Sequence, residues 1–429
     1  MSRLSTYFTS GLWTQSNFKK LWVGHTSSWF ASHFVMVLIP LVAVVSLDAS
    51  PIQMGIVGAA PGIPAIVGLF MGVWVDRRTR LPILIVADTL RIVLALIIPI
   101  AFAFDFLTME LIYFVAFGLG ATSLLWEIAQ RSLLPTVVEE SQLLEANSKL
   151  EIGNSGATAI GAGLAGVIAD IVAPPIALVG SAVGNLVSVF SYRSIQVEES
   201  DHRAEIDQLS ILRSVNQGLQ FVWAEKRLMG ILIAGSSLSF WGAAFDAIYV
   251  LFLVDQIGLT PTLIGILFSL GAGGMLIASV ISNRLSTSIG VGPLLILAFV
   301  AMSVAAFLAA SASGDLWLAF GMVVIAELGF IAGLTAWNIT QLSYRQSVTP
   351  NYLLGRVSSV FTVISRLASP IGALVGGFVG EFVGIRPSMF VSSVGITSSI
   401  IILILFGFLT MRVMPERRSE TLAEETAEP

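Results

Sequence analysis

The stretch Gly72-Val73-Trp74-Val75-Asp76-Arg77-Arg78-Thr79-Arg80 decides how the rest of the chain is interpreted. An apolar run over 51–74 leads into its charged residues, and another apolar run over 81–104 follows them. Both runs are long enough to cross the hydrocarbon core of a bilayer as helices. A short segment rich in arginine between two such helices favours a cytoplasmic loop. Its charges serve either as a topology anchor alone or as part of a gate.

The composition extends this interpretation to the whole chain. Of its 429 residues, 55% are hydrophobic and 11% are charged, and the mean hydropathy is +0.89. These values are typical of a membrane protein with many spans. Because the sequence has no cysteine, only three scattered histidines and no Walker A motif, we predict no metal, no cofactor and no enzyme activity. We also predict no binding to nucleic acid, and any uphill work would draw on an ion gradient.

Apolar runs divide the chain into twelve predicted membrane spans. Their limits are 20–46, 51–74, 81–104, 107–134, 150–173, 175–193, 228–254, 261–283, 291–312, 315–343, 356–380 and 386–411. Outside the spans, the lysines and arginines fall on one side of this topology, and Arg386 alone lies on the other. This asymmetry places both termini in the cytoplasm. We therefore predict an all-α, multi-pass protein of the cell (inner or plasma) membrane, in contact with the lipid bilayer.

An internal repeat predicts two six-helix halves. Residues 160–170 in span 5 match residues 371–381 in span 11 at a constant offset of 211. Parallel repeats of this kind place a substrate site near the middle of the bilayer, between the halves. The predicted domains are an N-terminal half over 1–193, a cytoplasmic linker with an amphipathic helix over 194–227, a C-terminal half over 228–412 and a disordered cytoplasmic tail over 413–429.

Glycines recur along spans 5 and 11. Small residues let helix backbones approach closely in lipid, so they predict tight helix packing, with a hinge or seal between the halves as the alternative. The glycines concerned are Gly161, Gly166, Gly372, Gly376 and Gly377.

Charges inside membrane spans are costly and therefore suggest function. Asp88 and Arg91 in span 3 are one helical turn apart and can pair, as can Glu127 and Arg131 in span 4. With the charged loop, these pairs predict a cytoplasmic gate whose charges exchange partners between two states. The predicted gate comprises Gly72, Asp76, Arg77, Arg80, Asp88, Arg91, Glu127, Arg131 and Arg356.

Glu327 in span 10 and Arg366 in span 11 lie near the middle of their spans. Burial favours the protonated form of a carboxyl group, whereas a nearby arginine favours its charged form. Glu327 is therefore predicted to bind a proton or a cation, and a fixed ion pair with Arg366 is the alternative. Further residues on spans 1 and 7 are predicted to line the substrate cavity, although a lone histidine such as His33 is more often a packing residue in a helix bundle. They are Asp246, His33, Trp29 and Trp241.

Several stretches together resemble the macrolide-efflux and enterobactin-exporter branch of the drug:proton antiporters in the major facilitator superfamily. The spacing Gly-x-x-x-Asp-Arg-x-x-Arg over 72–80 resembles the signature of the loop between helices 2 and 3 in that family. The resemblance implies a twelve-helix fold with alternating access, a monomer, and export of small organic molecules in exchange for protons. The other stretches are 17–22, 87–91, 134–135, 144–147, 218–222, 350 and 354–357.

The chain departs from that branch at three places. The stretch over 161–166 lacks the proline of the antiporter motif, and Phe114 stands near the place of an arginine common in span 4. Ser32 or His33 replaces the acidic residue of span 1. The proton carrier is therefore inferred from the position and charge of Glu327, independently of the resemblance.

The sequence thus favours a secondary active transporter, a proton-coupled exporter of small lipophilic or amphiphilic molecules such as drugs, antibiotics or siderophores. A lysophospholipid or lipid flippase and an uncoupled permease are the alternatives. A nutrient importer and a membrane receptor also stay open, because the fold does not set the direction of transport.

Overall fold

The computed structural model describes residues 11–67, 75, 78–197 and 208–414. Its membrane helices are numbered α1 to α12 to match the predicted spans, and the helix between α6 and α7 is called the linker helix. Their bounds are α1 Ser16–Leu41, α2 Pro51–Ala59, α3 Arg80–Ala103, α4 Met109–Val137, α5 Leu143–Val172, α6 Val179–Arg193, the linker helix Gln208–Ala224, α7 Lys226–Phe252, α8 Pro261–Ile289, α9 Val291–Ala310, α10 Leu316–Val348, α11 Asn351–Val383 and α12 Ile385–Leu405. The described ranges contain no strand.

Eleven helical segments are long and apolar enough to cross a membrane, which confirms the prediction of an all-α, multi-pass protein. The second predicted span begins as α2 and continues as the 3₁₀ helix Ala60–Val67. The rest of that span lies outside the described residues. Ser50 caps α2, and its backbone N–H donates to the Gln53 side chain at 2.8 Å, so the start of this helix is well defined.

Some helices extend beyond the apolar limits predicted for them. α5 begins at Leu143 where the apolar run begins at 150, and α11 begins at Asn351 where the run begins at 356. The predicted limits followed hydropathy, which marks the part of a helix inside the bilayer core. Backbone hydrogen bonding continues through polar residues, so the helices themselves are longer than their apolar parts.

The internal repeat is also visible in local backbone structure. α1 and α7 each end in a π-helical turn, Val42–Ser46 and Leu253–Ile257, and these turns lie 211 residues apart. A residue with positive φ follows each turn, namely Asp48 at 48° and Gly258 at 79°. The offset found between spans 5 and 11 in the sequence therefore also relates α1 to α7 in the structure.

Contacts group the chain into two compact units. The first comprises residues 1–205 and 253–269, and the second comprises residues 206–252 and 270–429. In the first unit α1 packs on α5 and α6, and α3 packs on α4 and α6. In the second unit α7 packs on α11 and α12, and α9 packs on α10 and α12. The pairing of helices is thus the same in both units, while the predicted domain limits stay a prediction.

Glycines let α5 and α11 approach their neighbours closely. A Cβ on Gly161 would lie 3.2 Å from the carbonyl oxygen of Phe30 in α1. A Cβ on Gly372 would overlap the carbonyl oxygen of Phe240 in α7, and Gly376 is equally close to Ala244. Small residues are typical of such helix interfaces in membranes.

Two other glycines of the predicted set have different surroundings. Gly377 is buried in α11. Gly166 faces the first turns of α8, where a Cβ would overlap the carbonyl oxygen of Pro261 and lie 2.7 Å from the Cα of Gly265. Near this contact, Thr262 donates a hydrogen bond of 2.6 Å to Asp170 at the end of α5. Within the first unit, α5 and the start of α8 are therefore held together by backbone packing and a side-chain hydrogen bond.

Candidate functional site

The clearest candidate site lies in the second unit, where α7, α9 and α10 surround a small open pocket. Asp246 and Tyr249 of α7 and Glu327 of α10 supply its polar lining. Asp246 and Tyr249 are three residues apart, which places both on one face of α7. The remaining lining is apolar and consists of Phe245, Ala305, Ala306, Ala309, Ala326 and Phe330.

Small residues leave room around the two acids. The part of α9 that faces the pocket presents only alanine methyl groups. On α8, a Cβ at Gly271 would lie 3.1 Å from Glu327 Oε1, so glycine permits the close approach of that carboxyl group. Within the described residues, no group of three or more histidine, aspartate or glutamate side chains could hold a metal ion. The pocket thus combines two carboxyl groups with a mainly apolar lining.

Asp246 and Glu327 are close enough for their charges to interact. Two carboxylates at short range repel each other when both are charged, so a proton or a bound cation stabilises the pair. Tyr249 lines the pocket together with both acids. The alternative of a fixed ion pair between Glu327 and Arg366 stays a prediction.

A second group of buried charges lies in the first unit. Asp88 is 0% exposed and Arg91 is 4% exposed, and their nearest nitrogen and oxygen atoms are 3.0 Å apart. Ser28 of α1 and Ser188 of α6 donate hydrogen bonds to the Asp88 carboxylate, at 2.9 and 2.6 Å. Arg91 also donates to the Ser28 hydroxyl at 2.8 Å. This network joins α1, α3 and α6 and supplies the carboxylate with three donors.

The other predicted gate residues have varied surroundings. Glu127 and Arg131 pair at 2.8 Å on the surface of α4, where the Arg131 side chain is 77% exposed. Arg356 at the start of α11 donates a hydrogen bond to Gln217 of the linker helix, and Arg80 begins α3. The exchange of partners that a gate requires stays a prediction. Three members of the predicted gate lie outside the described residues: Gly72, Asp76 and Arg77.

The aromatic residues predicted to line a cavity fall into two groups. Trp29 and His33 are half-buried neighbours on α1, with ring centroids 5.9 Å apart. Trp241 instead packs between helices, because a Cβ at Gly395 of α12 would overlap its indole ring. All three residues are half-buried, and Trp241 also contributes to the contact between α7 and α12.

Sequence reasoning missed several residues of both charged groups. Tyr249 could have been found from its position one turn after Asp246. Ser28 and Ser188 carried no signal, because isolated serines are common in membrane helices and their partners come from distant parts of the chain.

Comparison with characterised proteins finds weak similarity to efflux proteins. The chain is 28% identical over 166 residues to the enterobactin exporter EntS of Escherichia coli O1:K1 / APEC, which covers 38% of this chain and 37% of that protein. The chain thus spans little more than a third of the length of the enterobactin exporters it matches. It is 21% identical over 332 residues to macrolide efflux protein A of Enterococcus faecalis, and this alignment covers 76% of this chain and 99% of that protein.

Solved structures of transporters share the fold. A mutant of the nucleoside transporter NupG aligns with a TM-score of 0.74 and 12% identity over 91% of this chain and 99% of that chain. An inward-facing bacterial homologue of the iron transporter ferroportin aligns with a TM-score of 0.71 and 15% identity over 91% of this chain and 98% of that chain. At these low sequence identities, the alignments show a shared fold alone. That fold agrees with the predicted helical architecture.

A sequence model of one family covers most of the chain. The match to the Major Facilitator Superfamily runs over residues 21–373. It includes α1 to α10 and much of α11, so it extends through both units. The repeated helix pairing and the transporter structures agree with this match. The chain belongs to the major facilitator superfamily.

Proposed function

We propose that this protein is a proton-coupled exporter of small lipophilic or amphiphilic molecules that works by alternating access. The observation that carries the proposal is the pairing of Asp246 and Glu327 in one pocket of the second unit. An acid pair of this kind binds one proton readily, because a second negative charge beside the first is costly. The pair can therefore exist in two charge states that differ by one proton.

Two charge states give the transporter a means of coupling. A proton that is bound from one side of the membrane and released to the other can bias two conformations in opposite directions. The apolar lining of the pocket suits lipophilic substrates, and the two relatives described above are an enterobactin exporter and a macrolide efflux protein. Cytoplasmic termini, a monomer, the two six-helix halves and the cytoplasmic gate belong to the same proposal.

The test uses inside-out membrane vesicles in which respiration builds a pH gradient that quenches an acridine dye. Addition of a transported compound should release the quenching with the wild-type protein and not with Glu327→Gln, which keeps the size of the side chain and removes the charge. Glu110→Gln, at the exposed start of α4, is the matched control and should behave as wild type. Equal release by Glu327→Gln at equal abundance would remove Glu327 from coupling.

A lipid flippase is the second candidate, because a mainly apolar pocket also suits an acyl chain. A flippase needs no proton carrier, so Glu327→Gln should keep full activity. Movement of a fluorescent lysophospholipid in proteoliposomes without a pH gradient distinguishes the two functions. Loss of this movement in Glu327→Gln would count against the flippase.

A further inference from the structure

We propose that the first unit contains a substrate site of its own, an aromatic ladder made of His25, Trp29 and His33 of α1 and Trp126 of α4. The ladder would bind a planar aromatic ring that carries hydrogen-bond donors. This inference rests on the proposed function in one respect, since it takes the bound molecule to be the exported substrate. It adds a substrate class and a binding surface that are separate from the acid pair.

The rings of the ladder pack against one another. The three α1 residues follow each other at intervals of four, which places them on one face of the helix. The centroids of His25 and Trp29 are 6.0 Å apart in a stacked arrangement, and those of Trp29 and His33 are 5.9 Å apart. Trp126 stacks on His25 at 5.3 Å. Trp29 and Trp126 are also neighbours, at 6.3 Å. His25 and Trp126 are buried, so the accessible rings of the ladder are those of Trp29 and His33.

The buried end of the ladder is held by the charged network of the same unit. The Arg91 guanidinium lies 5.2 Å from the centroid of the Trp126 ring, in a cation–π contact. Arg91 is in turn bound to Asp88. The ladder is therefore supported by fixed side chains, and a rigid surface of this kind reduces the entropic cost of binding a ligand.

Hydrogen bonds from α5 define which ring nitrogen of His25 carries the proton. The Asn154 amide nitrogen donates to Glu151 at 3.2 Å, and its carbonyl oxygen lies 2.7 Å from His25 Nε2. An oxygen of this kind only accepts, so His25 Nε2 is the donor. In a neutral imidazole, Nδ1 then carries a lone pair.

The same reasoning applies to His33. The Thr158 hydroxyl donates its single proton to the carbonyl oxygen of Asn154 at 2.8 Å. Its oxygen therefore accepts from His33 Nε2, which lies 2.9 Å away. Both histidines of the ladder present Nδ1 as a hydrogen-bond acceptor.

One of these acceptors is unpaired. His25 is 4% exposed, and its Nδ1 has no hydrogen-bond partner in the described part of the chain. A buried acceptor without a donor costs free energy, so a donor that reached it would be favoured. Because His25 is buried, the acceptor that selects a ligand with donors is Nδ1 of the half-buried His33.

The other end of the ladder is accessible. Trp29, His33, Asn154 and Thr158 are half-buried, and Glu151 is exposed. Polar and ionisable side chains of membrane helices face protein or a water-filled route, because lipid offers them no hydrogen bonds. In the proposed site, these accessible polar residues line the route by which the ligand reaches the ladder.

These features define the chemistry of the ligand. Ring faces favour another flat ring, through stacking and the burial of apolar area. The histidine acceptors and the Glu151 carboxylate select groups that donate hydrogen bonds. A site that hydrogen-bonds its ligand also discriminates against an analogue without those donors.

The test compares two dyes with the same ring system and the same charge. Proflavine carries two amino groups that donate hydrogen bonds, and in acridine orange methyl groups replace those hydrogens. Binding to purified protein in detergent, without a gradient, is measured by fluorescence polarisation. We expect proflavine to bind about ten-fold more tightly than acridine orange, the reverse of the order that lipophilicity alone gives.

Variants assign this binding to the ladder. Trp29→Ala should weaken proflavine binding about ten-fold, through loss of stacking. His33→Phe keeps an aromatic face and removes the acceptor, so it should abolish the preference for proflavine. The control is Trp317→Ala, an exposed tryptophan of α10, which should bind both dyes as wild type does.

Several results would overturn the ladder. They are equal or reversed affinities for the two dyes, no binding of proflavine, and wild-type binding by Trp29→Ala. If Trp29→Ala does not yield folded protein, the dye preference of His33→Phe decides alone. Failure of the exporter proposal would differ, because the ladder variants would still change dye binding while no proton-driven transport occurred.

Discussion

Asp88 and Asp246 are both acids inside membrane helices, but their surroundings differ. Asp88 accepts hydrogen bonds from Ser28, Ser188 and Arg91 and has no exposed surface. Asp246 lines an open pocket and shares it with a second acid, Glu327. In the first unit, the charge of Asp88 is therefore balanced by Arg91 and by hydroxyl donors. In the second unit, two neighbouring acids repel each other when both are charged.

Depth in a membrane span does not by itself define the role of an acidic side chain. A buried carboxylate with a cation and hydroxyl donors is stable in its charged form, which suits a fixed contact between helices. Two neighbouring acids favour a state in which one is protonated, which suits a site that binds and releases a proton. By the presence or absence of such partners, the surroundings of Asp88 suit a fixed contact, whereas those of Glu327 suit the predicted proton site.

The largest effect is expected when the hydrogen-bonded network around Asp88 is broken. Asp88→Asn leaves Arg91 as a buried charge without its anionic partner, which should cost about 3 to 5 kcal/mol of folding free energy. Thermal unfolding of purified protein in detergent measures this loss. The double variant Asp88→Asn with Arg91→Gln should be less damaged than the sum of the single variants, because the two charges are coupled. A stable but inactive Asp88→Asn would favour the gate instead.

The next effect compares one repeated position in the two units. A Cβ on Gly372 would overlap the Phe240 carbonyl oxygen, whereas on Gly161 it would lie 3.2 Å from the Phe30 carbonyl oxygen. Gly372→Ala should therefore destabilise the protein by about 1 to 3 kcal/mol, and Gly161→Ala by less. Gly355→Ala on α11 is the control, because no atom lies within 4 Å of its added Cβ. Equal losses at Gly161 and Gly372 would contradict the difference in packing.

A smaller effect on stability is expected when one of the two neighbouring acids, Glu327, loses its charge. Glu327→Gln removes the repulsion with Asp246 and replaces a carboxyl group by an amide of similar size. Folding stability should be unchanged or should rise by about 1 kcal/mol, in contrast to the loss at Asp88. Thermal unfolding of the two variants under the same conditions measures the contrast. A loss in Glu327→Gln as large as that in Asp88→Asn would show that Glu327 is also held by stabilising partners.

The sequence predicted the architecture well because the fold depends on patterns that are local in the chain. Apolar runs, charge asymmetry and an offset of 211 were enough for the membrane helices and for the repeat that relates α5 to α11. Helix ends were less accurate, since hydropathy marks the bilayer core and α5 continues beyond it to Leu143. The π-helical turns left no signal in composition or hydropathy.

The candidate site was predictable only in part. Glu327 and Asp246 stood out as acids within apolar runs, but their meeting in one pocket depends on how α7 packs near α10. The serines that bind Asp88 come from α1 and α6, and nothing local distinguishes them from other serines. Residue type and depth thus select candidates, whereas partners that are distant in the chain decide between a fixed contact and a proton site.

The smallest expected effect concerns a charge pair that neither unit buries. Glu127 and Arg131 pair along α4, and the Arg131 side chain is 77% exposed. Exposed pairs at this spacing contribute only about 0.3 to 0.5 kcal/mol, so Glu127→Gln should leave thermal unfolding nearly unchanged. The informative measurement is therefore transport by that variant at equal abundance. Normal transport would indicate an exposed ion pair without a role in transport. A large loss of transport with unchanged stability would support its place in the cytoplasmic gate.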